Sequence, residues 1–174
     1  MFIGEGPGFY EDEQGLPFVG PAGQFLNELL RKAGLERKDV FITNVVKCRP
    51  PGNREPQENE LSACRYFLEH QIEIIKPRLI VTLGRFSMAN YFHEAKISVI
   101  HGTAMWVRGQ MIVPMYHPAA ALHQPSLRNS IEKDFAKLPE YIHKARTLPT
   151  SSMSDDTSSS QDSEGPEAKQ LDLF

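Results

Sequence analysis

Three short segments carry the side chains with the greatest chemical reach. The first, MFIGEGPGFYEDEQGLPFVGPAGQ at 1–24, places glycines at 4, 6 and 8 around Glu5 and brings in Phe18 soon after. Glycines there let backbone approach a ligand closely and permit positive φ, Glu5 adds a carboxylate, and Phe18 offers a flat apolar face. The second, TNVVKCRPPGNR at 43–54, ends a strand in Asn44, whose amide presents an acceptor beside a donor. The third, VPMYHPAAAL at 113–122, ends a strand in His117-Pro118, an imidazole able to donate or accept near neutral pH. All three lie where the crevice of an open parallel sheet opens, at the carboxyl ends of its strands. A nucleotide phosphate loop does not fit, because no Lys-Ser or Lys-Thr follows the glycines and their spacing is wrong for a dinucleotide fingerprint.

The elements that position these groups are legible in the apolar periodicity. Residues 1–4 read as a strand, and 22–33 as a helix with Phe25, Leu26, Leu29, Leu30 and Ala33 on one face, closed by Gly34. An apolar, β-branched run at 40–46 is the next strand. Pro56, Glu58 and Glu60 then start a long helix with Leu61, Cys64, Leu68, Ile72 and Ile75 facing inward, ended by Lys76-Pro77. A strand at 79–84, a helix at 86–93, a hairpin around Ile97 to Met105, a strand at 111–116 and a helix at 130–145 follow. Strands alternating with helices predict a three-layer α/β/α sandwich on a mainly parallel sheet.

Composition sets the outer bounds. A chain of 174 residues is expected to form one domain with a sizeable core. From Thr147 onward Ser, Thr, Asp, Glu and Pro dominate, which predicts a domain at 1–146 and a disordered tail at 147–174. The chain has 19 basic and 22 acidic residues. The tail holds one and six of them, leaving 18 and 16, so the domain is mildly basic and compatible with a phosphate-binding face. Two cysteines are no disulfide framework, and no run is long and apolar enough for a membrane span, so a cytoplasmic monomer is expected.

The stretches GEGPG (4–8), GLPFVGPAGQ (15–24), TNVVKCRPPGNR (43–54), IEIIKPRLIVTLG (72–84) and HPA (117–119) together resemble the family 4, iron–sulfur uracil-DNA glycosylases over about 130 residues. The resemblance implies a four-stranded sheet of the uracil-glycosylase type and hydrolysis of the N-glycosidic bond to uracil in single- or double-stranded DNA. It implies His117 facing uracil O2, Asn44 reading the N3–H and O4 edge, and Phe18 stacking on the base. Glu5 is either the water-directing group or a loop organiser. Gly6 falls where better-known uracil glycosylases carry their catalytic aspartate. Leu122 is the candidate wedge into the helix, although relatives often place leucine one residue earlier, at Ala121. Lys47, Arg49, Arg54, Arg85 and Arg128 are candidate phosphate contacts.

Cys48 and Cys64 match two of the four cysteines that hold a [4Fe–4S] cluster in that family. The other pair lies in an N-terminal extension, and the first strand has only three or four residues before the glycine turn. The expectation is a chain that starts late, with an incomplete cluster site. Gln170, Leu171, Asp172, Leu173 and Phe174 resemble the peptide by which bacterial repair proteins bind the sliding clamp, on a leash of roughly 25–30 Å root-mean-square reach. Two other functions fit the same residues: a non-catalytic remnant that binds DNA or the clamp, and a glycosylase for another deaminated base. Relatives that cross-link to DNA carry a histidine-bearing basic insertion absent from 43–54.

Overall fold

The computed structural model describes residues 1–147; the tail with its clamp-like motif lies outside the described residues. Five strands, β1 (Phe2–Gly4), β2 (Ile42–Asn44), β3 (Leu79–Leu83), β4 (Met105–Val107) and β5 (Gln110–Met115), form one sheet in the order β2-β1-β3-β5-β4. Four of them run parallel, with Gly4 beside Asn44 and Leu83 beside Met115, so both strand ends reach the same edge as the segments predicted to carry the site.

The predicted sheet had four strands, and the fifth corrects it. β4 pairs antiparallel with β5 through a two-residue turn in which Arg108 and Gly109 both have positive φ, the requirement of a hairpin turn that follows strand twist. The hairpin therefore lies at 105–115, while 97–100 is a short helix. β4 covers only the first half of β5, so Pro114, which has no N–H to give, sits beyond the pairing.

Eight helices flank the sheet among the described residues: α1 (Phe9–Gln14), α2 (Pro21–Lys32), α3 (Glu58–Ile75), α4 (Arg85–Ala89), α5 (Ile97–Ile100), α6 (Pro118–His123), α7 (Arg128–Phe135) and α8 (Leu138–Thr147). The segment between the glycine turn and Phe18 is thus helical as α1, and the predicted last helix is two. One core joins Phe25, Leu26, Leu29 and Leu30 of α2 with Phe2, Val81, Val113, Ile131 and Phe135. A smaller one, on the other face, gathers Ile3, Val45, Leu68, Ile80 and Ile112. From α3 only Leu68 is fully buried, and Ile75, expected inward, is exposed, because it lies in the last turn before Lys76 ends the helix in the left-handed region.

Strands β1 and β3 are buried along their whole length, as parallel strands covered on both faces require. β1, though three residues long, is the centre of the ladder, paired with β2 on one side and β3 on the other. The ladder continues past it: Val45 and Val46 donate to the carbonyls of Gly4 and Glu5 at 3.0 Å each. The glycine turn is therefore anchored to the strand that carries Asn44.

Candidate active site

The expectation of positive φ at Gly4, Gly6 and Gly8 is not met; none of the three is left-handed. They are there for space. A Cβ on Gly4 would lie 2.5 Å from Asn44 Oδ1 and 2.6 Å from the Phe18 ring, and one on Gly6 would lie 2.6 Å from Val46. Gly4 is thus the floor on which Asn44 and Phe18 meet.

The residue that does take positive φ is Phe18, at 53°, a conformation that costs a side-chain-bearing residue about 1–3 kcal/mol and persists only when its surroundings enforce it. Three neighbours enforce it. The Glu11 carboxylate accepts the N–H groups of Val19 at 2.9 Å and Gly20 at 2.8 Å, and so also occupies the N-terminus of α2. Arg37 donates to the Phe18 carbonyl at 3.0 Å, to the Pro17 carbonyl, and to Asn27 Oδ1 at 3.1 Å. Gly23 has no Cβ where one would overlap the Phe18 carbonyl. Sequence reading passes over Glu11 and Arg37; the only local signal is an acid ahead of a Gly-Pro helix start, and Arg37 is 19 residues from its target.

His117 sits opposite. Its ring stacks on Phe18 with centroids 5.4 Å apart and planes 29° apart, and left-handed Gly84, at the end of β3, lets it approach. The Ala119 N–H donates to His117 Nδ1 at 3.1 Å. A backbone N–H can only donate, so Nδ1 is the acceptor and the proton is on Nε2. Burial holds the imidazole down at about 4, against a smaller upward pull from Glu11. At neutral pH the ring is an uncharged Nε2–H donor.

A cavity of about 380 Å³ opens over these groups, lined by Glu5, Gly6, Phe18 and His117, with Asn53, Arg54 and His123 at its side. Such a volume falls in the usual range of ligand pockets, about 300–1,000 Å³. A second cavity of about 460 Å³ shares Pro7 and Glu11 with it and reaches Asn44. Asn44 is 5% exposed, and among the described residues its Oδ1 is, with Thr82 Oγ1, a buried side-chain atom without a hydrogen-bond partner. Glu5 is half-buried; burial raises its pKa, partly offset by Arg85. Leu122 is 47% exposed whereas Ala121 is buried, so only Leu122 projects outward.

The basic candidates divide. The Lys47 ammonium is committed to Gln71 Oε1 at 2.7 Å, the Asn44 carbonyl at 2.8 Å and Thr43 Oγ1 at 2.9 Å, fixing the end of β2 instead of facing a phosphate. Arg54 makes a two-pronged pair with Glu60 at 2.8 Å, Arg85 pairs with Glu55, and Arg128 pairs with Glu28 at 2.9 Å. Arg49 lies over the Phe9 ring. Cys64 Sγ accepts the Lys47 N–H at 3.3 Å, which brings α3 against the segment that carries exposed Cys48. A cubane needs four thiolates. This chain has two cysteines, and among the described residues no group of three His, Cys, Asp or Glu could hold a metal ion. The residues present do not complete the set for a [4Fe–4S] cluster.

Two outcomes follow from this geometry. Gly23→Ala forces a methyl into the Phe18 carbonyl and is expected to lower the unfolding free energy by about 1–3 kcal/mol, read by urea denaturation; an unchanged midpoint would contradict the clamp described. The second concerns acid. An unfolded histidine titrates near 6.5, whereas folded His117 refuses the proton until about 4. The unfolded state therefore binds more protons in that window, and the His117 contribution makes stability fall as pH drops from 6.5 to about 4, then level off. His117→Asn is expected to make the stability profile shallower there, measured by denaturant titration at several pH values.

The profile of the uracil DNA glycosylase superfamily matches residues 1–143. A type-4 uracil-DNA glycosylase of Sulfurisphaera tokodaii is 48% identical over 150 residues, spanning 80% of this chain and 68% of the relative. One from Saccharolobus solfataricus is 47% identical over 154 residues, with 82% and 70% covered. One from Thermotoga maritima is 45% identical over 149 residues, with 83% and 78% covered. With the parallel sheet, the crevice at its carboxyl edge and this similarity along nearly the whole described domain, the chain belongs to the uracil DNA glycosylase superfamily.

Proposed function

We propose that this protein removes uracil from DNA by hydrolysing the N-glycosidic bond, as a glycosylase of the type-4 branch. The observation that carries the reading is the orphaned Asn44 acceptor, which meets the Phe18 ring above Gly4 and opens on the cavity adjoining the one lined by Phe18 and the neutral His117 donor. Uracil has an N3–H to give to Asn44 Oδ1; cytosine has a lone pair at the same place, and would leave the buried acceptor facing another acceptor. Phe18 supplies the face that replaces the stacking lost when the nucleotide leaves the helix.

As the C1′–N bond breaks, the base gathers negative charge on its oxygens and the sugar becomes cation-like. The His117 Nε2–H is preorganised to donate to that charge, and a neutral donor needs no protonation step at the working pH. Glu5, on the same cavity, is the group to hold water for attack at C1′ and to stabilise the sugar cation. Gly6 leaves room beside it. Exposed Leu122, at the end of α6, is the wedge that fills the vacated stack.

Uracil release from single-stranded and U:G oligonucleotides, leaving an abasic site, is the direct test. His117→Ala and Asn44→Ala are each expected to slow single-turnover release about 10²-fold. Wild-type protein that released no uracil would overturn the reading in favour of a binding remnant, and release of a different deaminated base would shift it to another substrate.

The QLDLF motif at 170–174 supports a tether to the bacterial sliding clamp. Leu173→Ala combined with Phe174→Ala is expected to abolish clamp binding by surface plasmon resonance and to leave uracil release from short oligonucleotides unchanged. Equal clamp affinity before and after the double substitution would sink the tether.

A further inference from the structure

Helix α1 buries none of its residues, yet it begins with two aromatic side chains. Phe9 is 51% exposed and Tyr10 52%. Their rings meet edge to face, centroids 5.5 Å apart and planes at 84°. The core does not need them, so their placement calls for another explanation.

That placement is directly after residues that line the active-site cavity. Pro7 and Gly8, immediately before Phe9, line the cavity. The Arg49 guanidinium lies over the Phe9 ring, 5.2 Å from its centroid, and its Nε donates at 2.7 Å to Asn53 Oδ1, itself a lining residue from the opposite side. Tyr10 is backed by Gly20, where a Cβ would come within 3.0 Å of its ring. The result is two rings and a cation joined to the cavity rim through Gly8 and Asn53. Phe9, Tyr10 and Arg49 stand just outside the cavity lining, next to Gly8 and Pro50, which belong to it.

Flat apolar faces beside a guanidinium are the means by which proteins hold unpaired bases without reading their identity. We infer that Phe9, Tyr10 and Arg49 form a stacking lip for the base next to the extruded uridine, and that this lip favours single-stranded over duplex substrates. The inference rests on the glycosylase reading above. In a duplex the neighbouring base is already stacked and paired, so moving it onto the lip gains little; in a single strand it is free to move.

The test compares kcat/KM on a single-stranded uracil oligonucleotide and on its U:G duplex, for wild type, for Phe9→Ala with Tyr10→Ala, and for Phe9→Leu, which keeps apolar bulk without the flat face. The ratio of single-strand to duplex kcat/KM is expected to fall about tenfold in the double variant, mostly through KM, and to fall in Phe9→Leu as well. A third substrate carries abasic spacers on both sides of the uridine. Wild type is expected to bind it about tenfold more weakly than the normal single strand, and the double variant is expected to bind the two equally. An unchanged ratio in both variants, or wild type indifferent to the spacers, overturns the lip while leaving the glycosylase assignment standing. A wild type inactive on every uracil substrate overturns the assignment itself. If the double variant fails to fold, the spacer comparison on wild type still decides.

Discussion

The site depends on one carboxylate held at the start of a helix. Glu11 takes the N–H groups of Val19 and Gly20, and this single contact binds three things together. It satisfies donors that α2 would otherwise leave open, it turns the chain so that Phe18 faces the crevice, and it joins α1 to the domain although α1 buries nothing. Arg37 grips the same loop from the far side, through the carbonyls of Pro17 and Phe18. An aromatic in a strained left-handed conformation is thus fixed by hydrogen bonds to its own backbone and its neighbours', its buried ring stacked on His117 at the cavity wall.

The sheet supplies the other half of the geometry. Asn44 ends β2, Gly4 ends β1, and their pairing in register puts the amide directly over a residue with no side chain. On the far side Gly84, directly after β3, gives His117 its place. Two glycines at the ends of adjacent central strands therefore create the hollow, and residues from β2, from the loop before α2 and from the end of β5 fill its walls. Lys47 locks the Asn44 end by tying its carbonyl to Gln71 of α3.

Much of this was legible in the sequence, and the gaps have physical causes. The α2 face, the buried β3 run and the positions of Asn44, Phe18 and His117 follow from periodicity and motif, because local pattern and tertiary role agree there. The strand count failed at β4, since three residues with an exposed tryptophan carry little pattern and the hairpin is announced only by Arg108-Gly109. Lys47 looked like a phosphate contact because charge is visible in sequence and its three acceptors, up to 24 residues distant, are not. Arg37 and Glu11 escaped for the same reason: their partners are backbone groups, which every residue has and no motif records.

The Ala119 N–H that fixes the His117 tautomer also restricts what the imidazole can do. Turning the ring to offer a lone pair to the cavity would leave a backbone donor and a ring N–H facing each other. His117 is therefore permanently a donor and cannot serve as a base. On the function proposed above, stabilising the departing base and delivering water then fall to different side chains, His117 after β5 and Glu5 after β1. Such a division of labour lets either half be altered by evolution without disabling the other, so the base accepted can change while the treatment of the deoxyribose ring is kept.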